Sequence, residues 1–261
     1  MFRIPDEVTV GGTFSHAGLP SPTGIQKSIC SFLERITYRV MASEEDVDAI
    51  CKLRYESYRS MDLIADCDGG RWRDDLDDHP GYRNIGVYLE GELAGGIRIN
   101  RITPDFRLSM ALEMYPTQIG QMLSQGRTFV EGTRLFTAPA LGRRHRELPF
   151  AIIRLVGLAG RHYQATHVLK NVQANHVSFY QRHLRAEVVP DSLMPYKDHS
   201  REVELVLVTA EVEPSRTAML GPMPYLLSTR REMEALFAER PSDAAVAPGV
   251  RAALTGNERP A

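Results

Sequence analysis

The 261-residue sequence predicts a single α/β domain built on a mixed sheet, and three observations carry that reading. Alternating apolar runs interleave with stretches of helical periodicity, giving the order strand, helix, hairpin, helix, strand, helix, strand, helix, strand. A hydrophobic content of 43% beside 25% charged residues supplies a sizeable core. The length fits one large domain or two small ones, and no internal repeat divides it.

Taken in order, residues 1–27 hold glycines and prolines without periodicity and read as an N-terminal arm. Residues 36–41 alternate as a strand. Ser43 then offers an N-cap with Glu44, Glu45 and Asp46 in the first turn. The helix that follows sets Val47, Ile50, Leu53, Arg54 and Tyr58 three and four apart, so an arginine lies on its apolar face. Residues 65–81 form an acidic, glycine-containing loop. Two alternating runs, 84–89 and 92–99, flank Glu90-Gly91 as a hairpin. Residues 109–125 read as a helix rich in methionine, 128–137 as a strand, and 147–164 as a long helix after a basic loop. A strand over 167–174, a short helix over 176–184 and a strand over 203–212 complete a domain of residues 28–212. Residues 213–240 read as a helical appendage, and 241–261, rich in Ala and Pro, as a disordered tail.

The strand from Phe129 to Phe136 is the anomaly. It is apolar, yet it carries Glu131 and Arg134, and burying either ion unpaired costs several kcal/mol. Strand alternation directs the two to opposite faces, and Gly132 between them is a natural bulge that would re-aim one. A charged strand of this kind is a candidate site; the alternative is an edge strand whose polar residues face water.

Composition excludes several classes. A net charge of −2 argues against a protein that coats nucleic acid. Apolar runs such as 151–159 are too short to span a bilayer, and the N-terminus lacks a secretory pattern, so a cytoplasmic protein is expected. Cys30, Cys51 and Cys67 are odd in number and widely spaced, as reduced thiols are. Asp66-Cys67-Asp68-Gly69-Gly70 opens like a calcium loop but has glycine at the fifth position and no closing glutamate. The histidines show no ligand spacing, so no metal site is expected.

The motifs Leu53-Arg54-Tyr55 with Tyr58, Asp74 to Asp78, Gly86 to Leu93 with Ile97-Arg98, Val130 to Leu135, and His176 to Tyr180 occur in an order that resembles one superfamily. It is that of the general-control-type N-acetyltransferase (GNAT) fold. Within it, the chain resembles acyl-carrier-protein-dependent N-acyl amino acid synthases and their relatives, the acyl-homoserine-lactone autoinducer synthases. The resemblance covers most of residues 36–210. It implies a GNAT-like mixed sheet flanked by helices on both faces, with the C-terminal helical appendage added. It also implies an N-acyltransferase moving a medium- or long-chain acyl group from an acyl-carrier-protein thioester to the amine of an amino acid or similar acceptor. No cofactor would be bound permanently, and acyl-phosphopantetheine would be a co-substrate. Two alternatives stay open: an autoinducer synthase or coenzyme A-dependent acetyltransferase variant, and an idle protein that binds acyl carrier protein or a lipid-like effector.

On this resemblance Glu131 is expected to accept the amine proton and Tyr180 to protonate the leaving thiolate, with Phe179-Tyr180 as mere packing the alternative. Arg54, Tyr58, Asp77, Asp78, Arg98 and Arg134 would surround the acceptor. Arg98 is the arginine expected to reach ligand, while Arg54 and Arg134 hold an ion network. Leu135, Phe136, Thr137, Gly142, Arg143 and Arg144 would take the thioester arm and the carrier protein. Acetyltransferases of this fold carry a glycine-rich loop where only Gly142 remains here. Residues 143–161 hold five arginines against Glu147, a basic stretch suited to an acidic carrier. The methionines of 110–122 would line an acyl groove or belong to the core.

Overall fold

A computed structural model of the chain describes residues 24–198, 201–212 and 223–255. The sheet grows from the expected hairpin. Tyr82–Leu89 (β2) and Glu92–Ile102 (β3) pair antiparallel around Glu90 and Gly91, whose φ angles of 52° and 89° are both left-handed. That is the conformation of a tight two-residue turn matched to strand twist. Ile36–Val40 (β1) pairs with β2, and Phe129–Thr137 (β4) with β3, both antiparallel. His167–Gln173 (β5) runs parallel to β4, and Arg201–Glu211 (β8) runs antiparallel to β5. Two short strands, Glu187–Val188 (β6) and Met194–Asp198 (β7), line the outer edge of β8. The order β1-β2-β3-β4-β5-β8-β6 makes an eight-stranded mixed sheet with β7 beside β8.

Helices cover both faces. One face carries Glu44–Ser60 (α2), Met110–Met114 (α3) and Pro116–Ser124 (α4). Ser43 and Asp46 close a reciprocal capping box at the start of α2, which fixes where the helix begins. The single helix expected over 109–125 is two, because Pro116 disfavours helical geometry at Tyr115 and lacks the N–H that would continue the first. The other face carries Gly24–Leu33 (α1), Leu148–His162 (α6), Val177–Leu184 (α7) and Arg230–Phe237 (α8). Residues 139–144, expected as loop, form the short helix Pro139–Arg144 (α5) at the end of β4. The principal core lies between α6 and the sheet, where Leu148, Ile152, Leu155 and Leu158 are fully buried. Each such side chain contributes roughly 1.5–3 kcal/mol relative to exposure.

The termini differ from expectation where they are described. Residues 24–27 begin α1 rather than ending an arm. Residues 241–255, expected as disordered, bridge Val246 to Tyr38 and form Val250–Thr255 (α9), with Val250 and Ala253 buried. Residues 1–23, 213–222 and 256–261 lie outside the described residues. Among the described residues no helix is long and apolar enough to cross a membrane.

One feature of the sheet positions everything that follows. β4 is paired with β3 over most of its length, but with β5 only over Phe129–Glu131. From Gly132 onward β4 and β5 part, and alternate backbone N–H and C=O groups of β4 face the gap.

Candidate active site

The bulge expected in β4 is present, three residues along from Glu131 rather than beside it. Between Arg98↔Thr133 and Gly96↔Phe136 β4 holds one residue more than β3, and Arg134 takes a left-handed φ of 52°. A non-glycine residue there costs roughly 1–3 kcal/mol and persists only where the surroundings impose it. The extra residue reverses the alternation. Arg134 thereby points to the α2 and α3 side of the sheet with Glu131, not to the opposite face. Gly132 keeps the close approach of α6, since a Cβ there would lie 2.7 Å from Val156 Cγ2.

A charged cluster fills that side. Arg54, on the apolar face of α2, is fully buried and grips Asp77 with both terminal nitrogens, at 2.9 and 3.1 Å. It also donates to the Trp72 carbonyl at 3.0 Å and to Asn84 Oδ1 at 3.2 Å. Arg98, equally buried, donates to Asp74 and Thr133 and lies 3.1 Å from Asp77. Arg134 reaches Asp74 Oδ2 from Nη2 at 2.7 Å and stacks over Trp72. Asp74 therefore bridges two arginines. Burial alone would raise its carboxyl, but the Arg98 hydrogen bond and the charges of Arg98 and Arg134 outweigh that and hold it down at about 2. Asp77 behaves likewise: the Arg54 bond overcomes burial and leaves its carboxyl below the usual range. Three guanidiniums face two aspartates, and Glu131, which feels the charge of Arg98, is the third carboxyl at hand. The member facing outward is Arg134, with 18% of its side chain exposed against none for Arg54 and Arg98.

Glu131 stands at the inner edge of this cluster, 1% exposed and opposite Asn100 across the strand pair. Its Oε1 accepts the Ala111 N–H at 3.1 Å, while Oε2 and the neighbouring Asn100 Oδ1 are buried without a hydrogen-bond donor among the described residues. Burial pushes the Glu131 carboxyl up, against the pull of Ser109, the Ala111 amide, Asn100 and Arg98. Tyr58 donates to the Leu135 carbonyl at 3.3 Å, tying α2 to the bulge.

Not every expected residue joins them. Asp78 is exposed and paired with Arg73 at 2.6 Å, outside the cluster. Asp74 takes the place expected for it: as N-cap of the 3-10 turn Asp75–Asp77 it shares a side with Asp77, three residues on. Arg98, expected to reach ligand, is enclosed by protein. Phe136 is core, its ring 5.9 Å from the Arg54 guanidinium. Leu135 packs toward α6. Gly142 abuts Thr137, so its missing side chain lets α5 pack against the end of β4. Arg143, Arg144 and Arg146 are exposed beside the end of β4 and form no ion pair among the described residues. Arg154 and Arg161, counted with them in the basic stretch, belong to the interior.

Tyr180 is on the other side of the sheet. There α6, α7, β5, β8 and the segment 223–226 border a partly open apolar cavity of ≈ 80 Å³ lined by Val156, Val168, Tyr180, Val208 and Leu226. Lys170, 6% exposed, stands on its wall at the β4–β5 gap, with its ammonium 5.5 Å from the Tyr180 ring centre. Sequence reasoning passed over Lys170, although a lysine inside an apolar strand is the same signal that singled out Glu131. Met110 and Met114 lie on the Glu131 side, against Arg98 and Asn171, away from this cavity.

The gap thus lies between a charged cluster on one face of the sheet and an apolar cavity on the other. The family described as N-acyl amino acid synthase FeeM matches residues 49–211, more than half of the chain. Among solved structures, FeeM itself, an N-acyl amino acid synthase from uncultured soil microbes, is similar with a TM-score of 0.55. The identity is 13%, over 68% of this chain and 91% of that one. BjaI, a coenzyme A-dependent acyl-homoserine lactone synthase solved with SAM and isopentyl-CoA, gives 0.51 at 16% identity, over 71% of this chain and 87% of that one. No curated protein sequence matches the chain. With the split mixed sheet and a family match spanning β3, β4 and β5, the chain belongs to the FeeM family of N-acyl amino acid synthases and is an N-acyltransferase of GNAT fold.

Proposed function

We propose that the protein transfers a medium- or long-chain acyl group from an acyl-carrier-protein thioester to the amine of an amino acid or similarly small acceptor. The observation that carries this is the β4–β5 gap, with charge on one side and an apolar cavity on the other. The acceptor's carboxylate would meet Arg134, the outward-facing guanidinium of the cluster, whose planar fork suits bidentate pairing. The acyl chain would lie in the apolar cavity, and the thioester carbonyl in the gap. Arg143, Arg144 and Arg146 flank that entrance and suit an acidic carrier. The three free thiols fit a reducing, cytoplasmic location.

The chemistry follows from these positions. The acceptor ammonium gives a proton to Glu131, directly or through water, and a carboxylate with a raised pKa is the better base for it. The amine attacks the thioester carbon, forming C–N, and β4 N–H groups in the gap stabilise the oxyanion. C–S then breaks as the nitrogen gives up its second proton to water. Tyr180 protonates the thiolate from the cavity side, with the Lys170 ammonium beside its ring offsetting the phenolate until it regains a proton from solvent.

A coenzyme A thioester would use the same cavity, and charge separates the two donors. Reversing Arg143 and Arg144 to glutamate should weaken turnover with the carrier protein while sparing coenzyme A donors; equal loss with both contradicts the docking assignment. Lipid extracts of cells expressing the chain, read by mass spectrometry, should contain an N-acylated amine absent from a Glu131→Gln control. A wild type that binds acyl carrier protein yet acylates nothing would point to an idle binding protein instead.

A further inference from the structure

Residues 223–255 lie beyond the stretch that the family matches, yet this segment supplies part of the wall of the apolar cavity. Met223 and Leu226 stand on its wall, against Gly157 of α6. The way this segment is fastened is unusual. Arg154 Nε donates to the Tyr225 carbonyl at 2.7 Å, Arg161 Nη2 to the Leu226 carbonyl at 2.6 Å, and Arg154 Nη2 to the Leu227 carbonyl at 2.6 Å. Three consecutive carbonyls are thus held by two guanidiniums seven residues apart, which is two turns along one face of a helix.

Gly157 falls between the two arginines. A Cβ built on it would sit 3.5 Å from Leu226 Cδ2, ordinary contact, so the segment crosses the helix where there is least side chain. Further along, Glu232 pairs with buried Arg154 and accepts the Gly249 N–H at 2.9 Å, which locks α8 and the approach to α9 to the same point. A loosely attached segment would yield to any acyl chain. One fixed by its own backbone presents a wall at a set depth.

We infer that the segment 223–227 is the chain-length ruler of the acyl cavity and that Leu226 is the residue the end of the acyl chain meets. This rests on reading the cavity as the acyl site. It adds that the ruler is supplied by the C-terminal segment rather than by the matched domain.

Leu226 is half-buried and its position is held by main-chain bonds, so its side chain can change while the segment stays. The test is turnover with acyl thioesters of graded length, alongside calorimetric Kd values for fatty acids of the same lengths. Leu226→Ala should move both optima to longer chains, and Leu226→Phe and Gly157→Ala to shorter ones. The ratio of long- to short-chain kcat/KM should change roughly tenfold in each direction, as a methylene or two in an apolar pocket provides. KM for the acceptor should not move. Optima that stay in place in all three variants overturn the ruler. The binding profile separates this result from the acyltransfer reading: optima of Kd that follow Leu226 uphold the ruler even in a protein that transfers nothing.

Discussion

Both faces of the sheet bury arginine completely, Arg154 on one and Arg54 and Arg98 on the other, and the surroundings of Arg154 and Arg98 differ in an instructive way. Arg154 is closed: Glu232 neutralises it and takes two of its N–H groups, and two backbone carbonyls take two more. Arg98 is open-ended: it shares Asp74 with the partly exposed Arg134, and Glu131 beside it has an acceptor without a donor among the described residues. A buried ion satisfied on every side holds a structure together. A group of ions with one guanidinium facing outward and buried acceptors unspent is poised for something that arrives.

That contrast can be broken by substitution. On the open side, Glu131→Gln should lower kcat by roughly 10²–10⁴-fold, the usual contribution of a general base. The same change should leave thermal stability equal or higher, because burial penalises the native carboxylate and Gln removes the penalty. On the closed side the pattern inverts. Glu232→Ala strands a buried guanidinium and should cost about 3–5 kcal/mol of stability in urea unfolding. Joint replacement of Arg154 and Glu232 by apolar residues should recover much of that loss. Intermediate in size is Arg134→Ala, expected to raise acceptor KM by about tenfold or more, the worth of a charge-assisted hydrogen bond, with little change in melting temperature. Smallest is Asp78→Asn, which removes an exposed pair and should alter stability by about 0.5 kcal/mol or less and acceptor KM not at all.

Acid stability tests the cluster from another side. Asp74 is held at about 2 against an ordinary 3.8, so its contribution is complete above 3.8 and is lost as the pH falls from there toward 2. Asp74→Asn should flatten the stability profile across that window, measured as urea midpoints at successive pH values.

Much of this was legible in the residues. The hairpin, the N-cap at Ser43 and the charged β4 strand follow from local patterns, and each stands where the pattern placed it. α1 carried its own signal, since Ile25, Ile29, Phe32 and Leu33 keep helical spacing, but glycines and prolines just upstream masked it. What sequence reasoning could not reach depends on three-dimensional pairing. The choice of Asp74 over Asp78 depends on a single 3-10 turn, and the orientation of Arg134 on one extra residue in β4. The role of residues 223–227 needs α6 beneath them. Arg154 and Arg161 looked like part of a surface patch until carbonyls 71 and 65 residues away in the chain came to meet them.

The most direct measurement is the pH profile of kcat/KM for amine acylation by the wild type and by Glu131→Gln. With Glu131 as the base, the wild-type profile has an acidic limb above the ordinary glutamate value of 4.5, in the direction burial imposes, and the residual activity of the variant lacks it. The same limb in both proteins, at comparable rates, would contradict the account.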